Sequence, residues 1–123
     1  MKLFESGEDY LERILILKER NGQVRSIDIV VDMGFSKPSV SVAMKKLKEG
    51  GFIEVDKNGY ISLTDNGQQI AESVYERHQV LTKLFMSLGV DEETAMKDAC
   101  KVEHDLSEKT FQAIKNHTNN RGW

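Results

Sequence analysis

Six residues of this chain carry side chains that commonly bind divalent metal ions, and their spacing groups them on helix faces. Two carboxylates near the N-terminus are three residues apart, so a helix would present both on one face. A thiol, a carboxylate and an imidazole follow at i, i+3 and i+4 in the second half, which predicts another shared helix face. Mixed oxygen, nitrogen and sulfur donors suit a divalent transition metal better than Mg²⁺ or Ca²⁺. The candidate ligands are Asp9, Glu12, His78, Cys100, Glu103 and His104.

Each candidate ligand also has a purely structural explanation. Asp9 and Glu12 would complement the dipole at a helix N-terminus. His78 falls on an apolar stripe, where a hydrogen-bonded core histidine is common, and Cys100 would serve as a small buried hydrophobic residue. Glu103 and His104 would form an exposed turn before the next helix cap. The metal hypothesis gains its weight from a coincidence. His78 is expected to point inward, and three donors occupy the helix face that must pack near it.

A second chemical feature is a local basic cluster in a chain whose net charge is −3. Four lysines within residues 37–49 are accompanied by one acid, Glu49. Serine hydroxyls at the start of this segment would reach base edges, and lysines here and near residue 57 would reach phosphates. The alternative is that the lysines only solvate a helix face. The DNA-contact candidates from this pattern are Ser36, Lys37, Ser39, Ser41, Lys45, Lys46, Lys57 and Asn58.

The elements predicted for the first half place this cluster on the third of three helices. Helical periodicity runs over residues 8–20 and ends at Asn21-Gly22. Ser26 is expected to cap a short helix, residues 27–33, in which Ile27, Val30 and Val31 share a face. A third helix begins at the cap Ser36, with Pro38 in its first turn. Its predicted buried stripe is Val40, Ala43, Met44 and Leu47.

The periodicity then changes from helical to alternating. Residues 53–55 and 61–63 alternate apolar and polar side chains around Asn58-Gly59, which predicts a β-hairpin. A tight helix-turn-helix followed by a hairpin is a winged helix, in which the third helix reads the major groove. We therefore predict a winged helix-turn-helix DNA-binding domain over residues 1–64.

The second half is predicted to be helical, with a domain at residues 65–123. Asp65 and Gln68 would form a capping box for a long helix, roughly 66–88. Asp91 would cap a helix that extends to about His104, and Asp105 or Ser107 would cap a last one. The tail, residues 116–123, is expected to fray. The predicted apolar stripe of the long helix is Ile70, Val74, His78, Leu81, Phe85 and Leu88, widened by Tyr75 and Leu84. The fold class is thus mainly α with one small β-hairpin.

Composition excludes several classes of protein. The chain has 123 residues, and no apolar run in it is long enough to span a bilayer. A single cysteine cannot form an intramolecular disulfide, which favours a reducing cytoplasm. Residues 1–64 contain ten Lys or Arg and ten Asp or Glu, so the whole net charge falls on residues 65–123. The basic cluster is therefore a local feature that the global charge hides.

Several segments resemble the diphtheria-toxin-repressor family of metal-dependent transcriptional repressors, in order along nearly the whole chain. The most specific is Cys100–Ser107, with the pattern Cys-x-x-Glu-His-x-Leu-Ser, and it is supported by His78. The other matching segments are residues 8–14, 36–41, 63–67 and 76–78.

The resemblance implies a homodimer that binds a palindromic operator in double-stranded DNA, with Fe²⁺ or Mn²⁺ as corepressor of metal-uptake genes. The second half would supply the dimer interface and much of the metal site. The family's metal positions fall on the six candidate ligands. Its base-reading positions fall on Ser36, Pro38 and Val42, which adds the last two to the DNA-contact candidates.

The metal ligands are a hybrid of two family patterns. Manganese sensors of the family typically have glutamate where Cys100 stands, and iron sensors typically have methionine where Asp9 stands. The thiolate slightly favours Fe²⁺, with Mn²⁺ close behind. We expect the ion to join the first helix to the dimer half by removing repulsion among Asp9, Glu12 and Glu103.

Three other functions would fit parts of the sequence. A metal-independent winged-helix regulator would use His78 and Cys100 as core residues. A metalloenzyme would use Glu103 as a base, but the chain has no substrate-sized insertion, Gly-rich loop or nucleophile beside a base. A dimerisation adaptor would leave the Ser/Lys face of residues 36–48 without a purpose. We therefore expect a regulator that is not an enzyme and takes no small-molecule substrate.

Overall fold

The computed structural model describes residues 3–4 and 6–120, and it confirms the predicted helical fold with one antiparallel hairpin. The chain divides into two compact units, the first ending at Glu72 and the second beginning at Ser73. In the described part of the chain, no helix combines the length and apolar character needed to cross a bilayer. The elements are α1 (Gly7–Asn21), α2 (Ser26–Met33), α3 (Lys37–Glu49), β1 (Ile53–Val55), β2 (Ile61–Leu63), α4 (Asp65–Ser87), α5 (Glu92–Val102) and α6 (Glu108–Asn120).

The first unit is a winged helix-turn-helix. Helices α1–α3 pack with the hairpin, in which Ile53 pairs with Leu63 and Val55 with Ile61. A main-chain hydrogen bond from Ile61 N to Val24 O, 2.8 Å long, also anchors the hairpin. Apolar side chains from every element form the core. Fully buried members are Leu11, Ile14, Val24, Ile29, Val40, Leu47 and Ile53.

Helix α2 differs from its prediction in both its cap and its buried face. Ser26 is the first helical residue, and the Asp28 carboxylate accepts a hydrogen bond from the N–H of Arg25, the N-cap, at 2.9 Å. The buried residue is Ile29, whereas Ile27 and Val31 are 48% and 77% exposed. Apolar residues occur almost all round this eight-residue helix, so periodicity cannot select its buried face.

Helix α3 matches its prediction closely. The Ser36 hydroxyl accepts a hydrogen bond from Ser39 N at 3.2 Å, which is the expected N-cap. Pro38 lies in the first turn, where its missing N–H costs little. The predicted stripe is buried, at Val40, Ala43, Met44 and Leu47. Burial of this stripe leaves the opposite, Ser/Lys face of α3 in solvent.

Helix α4 begins with a cap that differs from the predicted one. Thr64 Oγ1 accepts a hydrogen bond from Gly67 N at 3.1 Å and donates one to Gly51 O at 2.7 Å. The sequence offers two adjacent capping residues, Thr64 and Asp65, and the hydroxyl of Thr64 makes both of these bonds. Gly67 packs directly against the main chain of Phe52, which fixes the start of α4 beside the hairpin.

The second unit consists of the rest of α4 with α5 and α6. Its core includes Val74, Leu81, Ala95, Ala99 and Phe111. Leu88, assigned to the apolar stripe, lies beyond the end of α4 and is 72% exposed. Among the described residues of this unit, the exposed large apolar side chains are Met86, Leu88 and Met96.

The ends of α5 and α6 also differ from prediction. Asp91 caps α5 by accepting from Thr94 N at 3.0 Å, as expected, but the helix ends at Val102 and leaves His104 in the following turn. Ser107 caps α6, since its hydroxyl accepts from Thr110 N at 3.1 Å. Helix α6 continues to Asn120, so the predicted frayed tail is helical up to that residue. Residues 121–123 lie outside the described residues.

Candidate metal centre and nucleic-acid interface

Helix α1 carries the two N-terminal candidate ligands in the first unit. Asp9 is half-buried and Glu12 is buried, at 6% exposure. Glu12 is therefore far less solvated than an acid that only complements the helix dipole at the surface. Burial and the neighbouring Asp9 carboxylate together raise the pKa of Tyr10 above its ordinary value. An ion pair from Arg13 to Asp32, 3.1 Å long, ties α1 to α2.

The Glu103 carboxylate is the centre of the candidate site in the second unit. Its side chain is fully buried and lies beside two imidazoles. Oε2 is 3.0 Å from Nδ1 of His78, and Oε1 is 3.5 Å from Nε2 of His104. Oε1 makes no hydrogen bond to any residue that the structure describes. The buried carboxylate thus has one imidazole beside each of its oxygens, all within one unit.

This arrangement fits a divalent cation. A buried carboxylate costs several kcal/mol unless charge or hydrogen bonds compensate for lost hydration, by the usual order of magnitude. Here one carboxylate oxygen lacks a hydrogen bond among the described residues, and two neighbouring side chains are imidazoles, which bind transition metals when neutral. A bound cation would satisfy the oxygen and neutralise the buried charge.

The structure brings some predicted ligands together and places others elsewhere along the chain. His78 and His104 each lie within contact distance of Glu103 in the second unit. Cys100 is an exposed residue of α5, one turn before Glu103. The spacing predicted one helix face for Cys100, Glu103 and His104, and this is wrong. Helix α5 ends at Val102, so Glu103 is its C-cap and His104 lies in the following turn.

Two arginines with structural contacts near the candidate sites were missed by sequence reasoning. Arg77, immediately before His78, donates hydrogen bonds to the turn that carries Glu103. In the first unit, the guanidinium of Arg25 lies 4.4 Å from the centroid of the ring of Tyr60, the residue just before β2. The position of Arg77 beside a candidate ligand was the one available sequence signal.

The DNA-contact candidates on α3 form an exposed face. All eight, from Ser36 to Lys46, are exposed, and Val42 has 54% of its surface open. The hydroxyl of Ser36 also bonds to that of Ser39, at 2.8 Å. The Lys46 ammonium lies 5.3 Å from the centroid of the Phe4 ring. Small polar groups near the helix N-terminus followed by lysines suit a helix that reads the major groove.

The tip of the hairpin, residues 56–60, holds the other two DNA-contact candidates. The Asp56 carboxylate accepts hydrogen bonds from the main-chain N–H groups of Asn58 and Tyr60, both 2.9 Å long. Gly59 supplies the left-handed conformation of the turn, with φ +84°. Lys57 and Asn58 are both exposed at this tip.

A DNA-reading winged helix joined to a helical unit with clustered metal-binding side chains defines a metal-responsive DNA-binding regulator. Two family models match this chain. Residues 2–61 match the N-terminal DNA-binding domain of iron-dependent repressors, and residues 64–121 match their metal-binding and dimerisation domain. The chain therefore belongs to the iron-dependent repressor family, also called the diphtheria-toxin-repressor family, whose members are transcriptional regulators.

Individual relatives agree with this assignment. The transcriptional regulator MntR of Escherichia coli O6:H1 is 35% identical over 115 residues, which cover 94% of this chain and 74% of that protein. The structure of the manganese regulator SloR matches with a TM-score of 0.83 and 29% identity, over 97% of this chain and 55% of that one. The structure of a manganese-dependent transcriptional repressor in complex with manganese matches with a TM-score of 0.81 and 26% identity, over 90% of this chain and 51% of that one. The chain thus spans about half the length of these solved structures.

Proposed function

We propose that this protein is a metal-dependent transcriptional repressor that controls metal-ion homeostasis, with Fe²⁺ or Mn²⁺ as its corepressor. The observation that carries the proposal is the buried Glu103 carboxylate between the imidazoles of His78 and His104. A purely structural trio would not leave a buried carboxylate oxygen without a hydrogen bond among the described residues. Family membership supplies the DNA-binding and dimerisation parts of the proposal.

The proposed ligands are the six residues identified from the sequence. Glu103, His78 and His104 would form the centre, with Cys100 adding a thiolate from the preceding turn of α5 and α1 adding two carboxylates. When bound, the ion supplies positive charge that neutralises these acids. The full set is Asp9, Glu12, His78, Cys100, Glu103 and His104.

The choice between Fe²⁺ and Mn²⁺ follows from conflicting donors. The thiolate of Cys100 favours iron, while the oxygen ligands Asp9 and Glu12 favour manganese. The relatives described as manganese regulators support manganese as the corepressor tested first. Both ions belong in the experiment, because one soft donor among hard ones does not decide the selectivity.

DNA binding is proposed for residues 1–64 and dimerisation with metal binding for residues 65–123. As a homodimer the protein would place two α3 helices in successive major grooves of a palindromic operator, about 34 Å apart. Met86, Leu88 and Met96 are exposed apolar residues of the second unit, as a dimer surface requires. The proposed contact residues are Ser36, Lys37, Pro38, Ser39, Ser41, Val42, Lys45, Lys46, Lys57 and Asn58.

The proposed response joins these two activities. Without metal, the acids of α1 and Glu103 disfavour any arrangement that brings them close, and bound metal removes that repulsion. The ion pair from Arg13 to Asp32 would transmit the resulting position of α1 to α2 and the helix-turn-helix. To shift a 1:99 equilibrium to 99:1, the metal must favour the DNA-binding state by roughly 5.5 kcal/mol. We propose that this regulator acts in the cytoplasm.

The test is a fluorescence-anisotropy titration with a palindrome from the promoter region next to the gene. It is run with chelator, with Mn²⁺, and under anaerobic conditions with Fe²⁺. We expect binding that appears only with metal and that Glu103→Gln abolishes. Equal binding in chelator would contradict the proposal and indicate a metal-independent winged-helix regulator.

A further inference from the structure

The side chain of Arg77 makes an unusual number of contacts to one short segment, the turn between α5 and α6. Its Nη1 donates to Glu103 O at 3.0 Å and to Leu106 O at 2.7 Å. Its Nη2 donates to the Glu108 carboxylate at 2.9 Å. The guanidinium also lies 5.1 Å from the centroid of the Phe111 ring. One side chain of α4 therefore contacts the end of α5, the turn and the start of α6.

These bonds explain how the turn keeps its shape. The last carbonyls of a helix have no partner within it, and α5 ends just before Glu103. Arg77 supplies donors to the carbonyls of Glu103 and Leu106, so these two main-chain groups are satisfied by a fixed partner. The Arg77 side chain is only 13% exposed, which keeps water from competing strongly for the same carbonyls.

Glu103 is consequently held at two different points. Arg77 binds its main-chain oxygen, and His78, the next residue on α4, binds its side-chain carboxylate. The contact between His78 and the Glu103 carboxylate joins two proposed metal ligands, so a metal ion bound to both would replace it. The first contact uses a main-chain oxygen outside the proposed ligand set, so metal binding does not require this contact to break.

We propose that Arg77 is a positioning residue for the metal centre, which holds the turn bearing Glu103 and His104 in place before the metal arrives. This inference rests on the proposed function. Arg77 touches no metal itself. It acts by reducing the ordering that binding must otherwise impose on Glu103 and His104, which raises metal affinity.

The experiment measures Mn²⁺ binding by isothermal titration calorimetry on the full-length protein. We expect Arg77→Met to weaken Mn²⁺ binding by about 10- to 100-fold, the usual effect of removing a group that orients a ligand. Arg77→Lys keeps one donor for a carbonyl and should recover part of this loss. The matched control is Lys115→Met, which breaks the 3.1 Å ion pair with Glu76, also between α4 and α6, but away from the ligand turn. It should leave Mn²⁺ affinity unchanged.

A second readout separates positioning from a general loss of structure. In the anisotropy assay, Arg77→Met should require more Mn²⁺ for half-maximal operator binding yet reach the wild-type DNA affinity at saturating metal. Reduced DNA affinity at saturation, or equal losses of Mn²⁺ affinity in Arg77→Met and Lys115→Met, would overturn the proposal. If Arg77→Met does not fold, Arg77→Lys decides, because wild-type Mn²⁺ affinity in that variant would also contradict the proposed role.

These outcomes are distinct from failure of the proposed function. If wild-type protein binds neither Mn²⁺ nor Fe²⁺, the metal centre itself is wrong and the role of Arg77 falls with it. If wild type binds metal and folded Arg77→Met binds it equally well, only the positioning role is wrong.

Discussion

Replacing Gly67 with alanine tests how tightly α4 is joined to the hairpin. A Cβ at this position would overlap the carbonyl oxygen of Phe52 and lie 3.0 Å from its carbonyl carbon. Both are main-chain atoms, so no side-chain rotation can relieve the overlap. The same Phe52 oxygen accepts the hydrogen bond from Thr64 N, 3.1 Å long, which a shift of the main chain would weaken.

The size of the effect follows from three opposing contributions. Forcing a methyl group into packed structure costs about 1–3 kcal/mol, and loss of the bond from Thr64 costs about 1 kcal/mol more. Alanine gains at most about 1 kcal/mol over glycine in a helix interior. We expect Gly67→Ala to lower the free energy of unfolding by about 1–3 kcal/mol, because the steric contribution dominates. For a unit of this size, the melting temperature should fall by roughly 5–20 °C.

The assay is thermal unfolding followed by circular dichroism, in chelator and at one fixed protein concentration, since dimerisation makes the midpoint depend on concentration. Asn66→Ala is the matched control: this residue is exposed in the same turn, so alanine should leave stability unchanged or raise it slightly. A Gly67→Ala midpoint at or above that of wild type would refute the reasoning, because it would show that the Phe52 main chain yields without cost.

Three further predictions concern the site, the DNA face and pH. Glu103→Gln should keep its fold in chelator but lose the Mn²⁺ stabilisation of wild type, about 2.7 kcal/mol at 100 times Kd, in thermal melts. Lys45→Ala should reduce the slope of log K against log salt by about 0.9 per protomer, while Lys109→Ala on α6 should not. Hydrogen bonds from Thr94 lower the pKa of Asp91 below its ordinary 3.8, so this cap contributes stability above that value. That contribution is lost as pH falls through the lowered pKa. Thermal melts at acidic pH should show this loss of stability in wild type and not in Asp91→Asn.

Most elements could be predicted because their periodicity and caps are local properties of the sequence. The buried stripe of α3 and the hairpin around Gly59 followed from spacing and turn residues alone. Helix α2 failed in its buried face, since apolar residues surround it and only packing with its neighbours selects Ile29. Spacing therefore predicts an element more reliably than it predicts which side of a short element is buried.

The metal centre was predictable in its residue types and only partly in its geometry. The pairing of His78 with Glu103 agrees with the expectation that both point inward. The end of α5 was misplaced because residues 103–105 contain no glycine or proline to stop a helix. The carbonyl of Glu103 is bonded by Arg77, 26 residues away in sequence, and a contact over that separation leaves no local signal.

At the tip of the hairpin, the residues that shape the turn differ from the two proposed DNA contacts, Lys57 and Asn58. Asp56 and Gly59 set the course of the chain, and the bonds to Asp56 use the main-chain N–H groups of Asn58 and Tyr60. Every residue except proline offers such an N–H, so the side chains at positions 57 and 58 can change without altering the loop. In evolutionary terms the side chains at these two positions can vary one substitution at a time, while the loop that presents them remains intact.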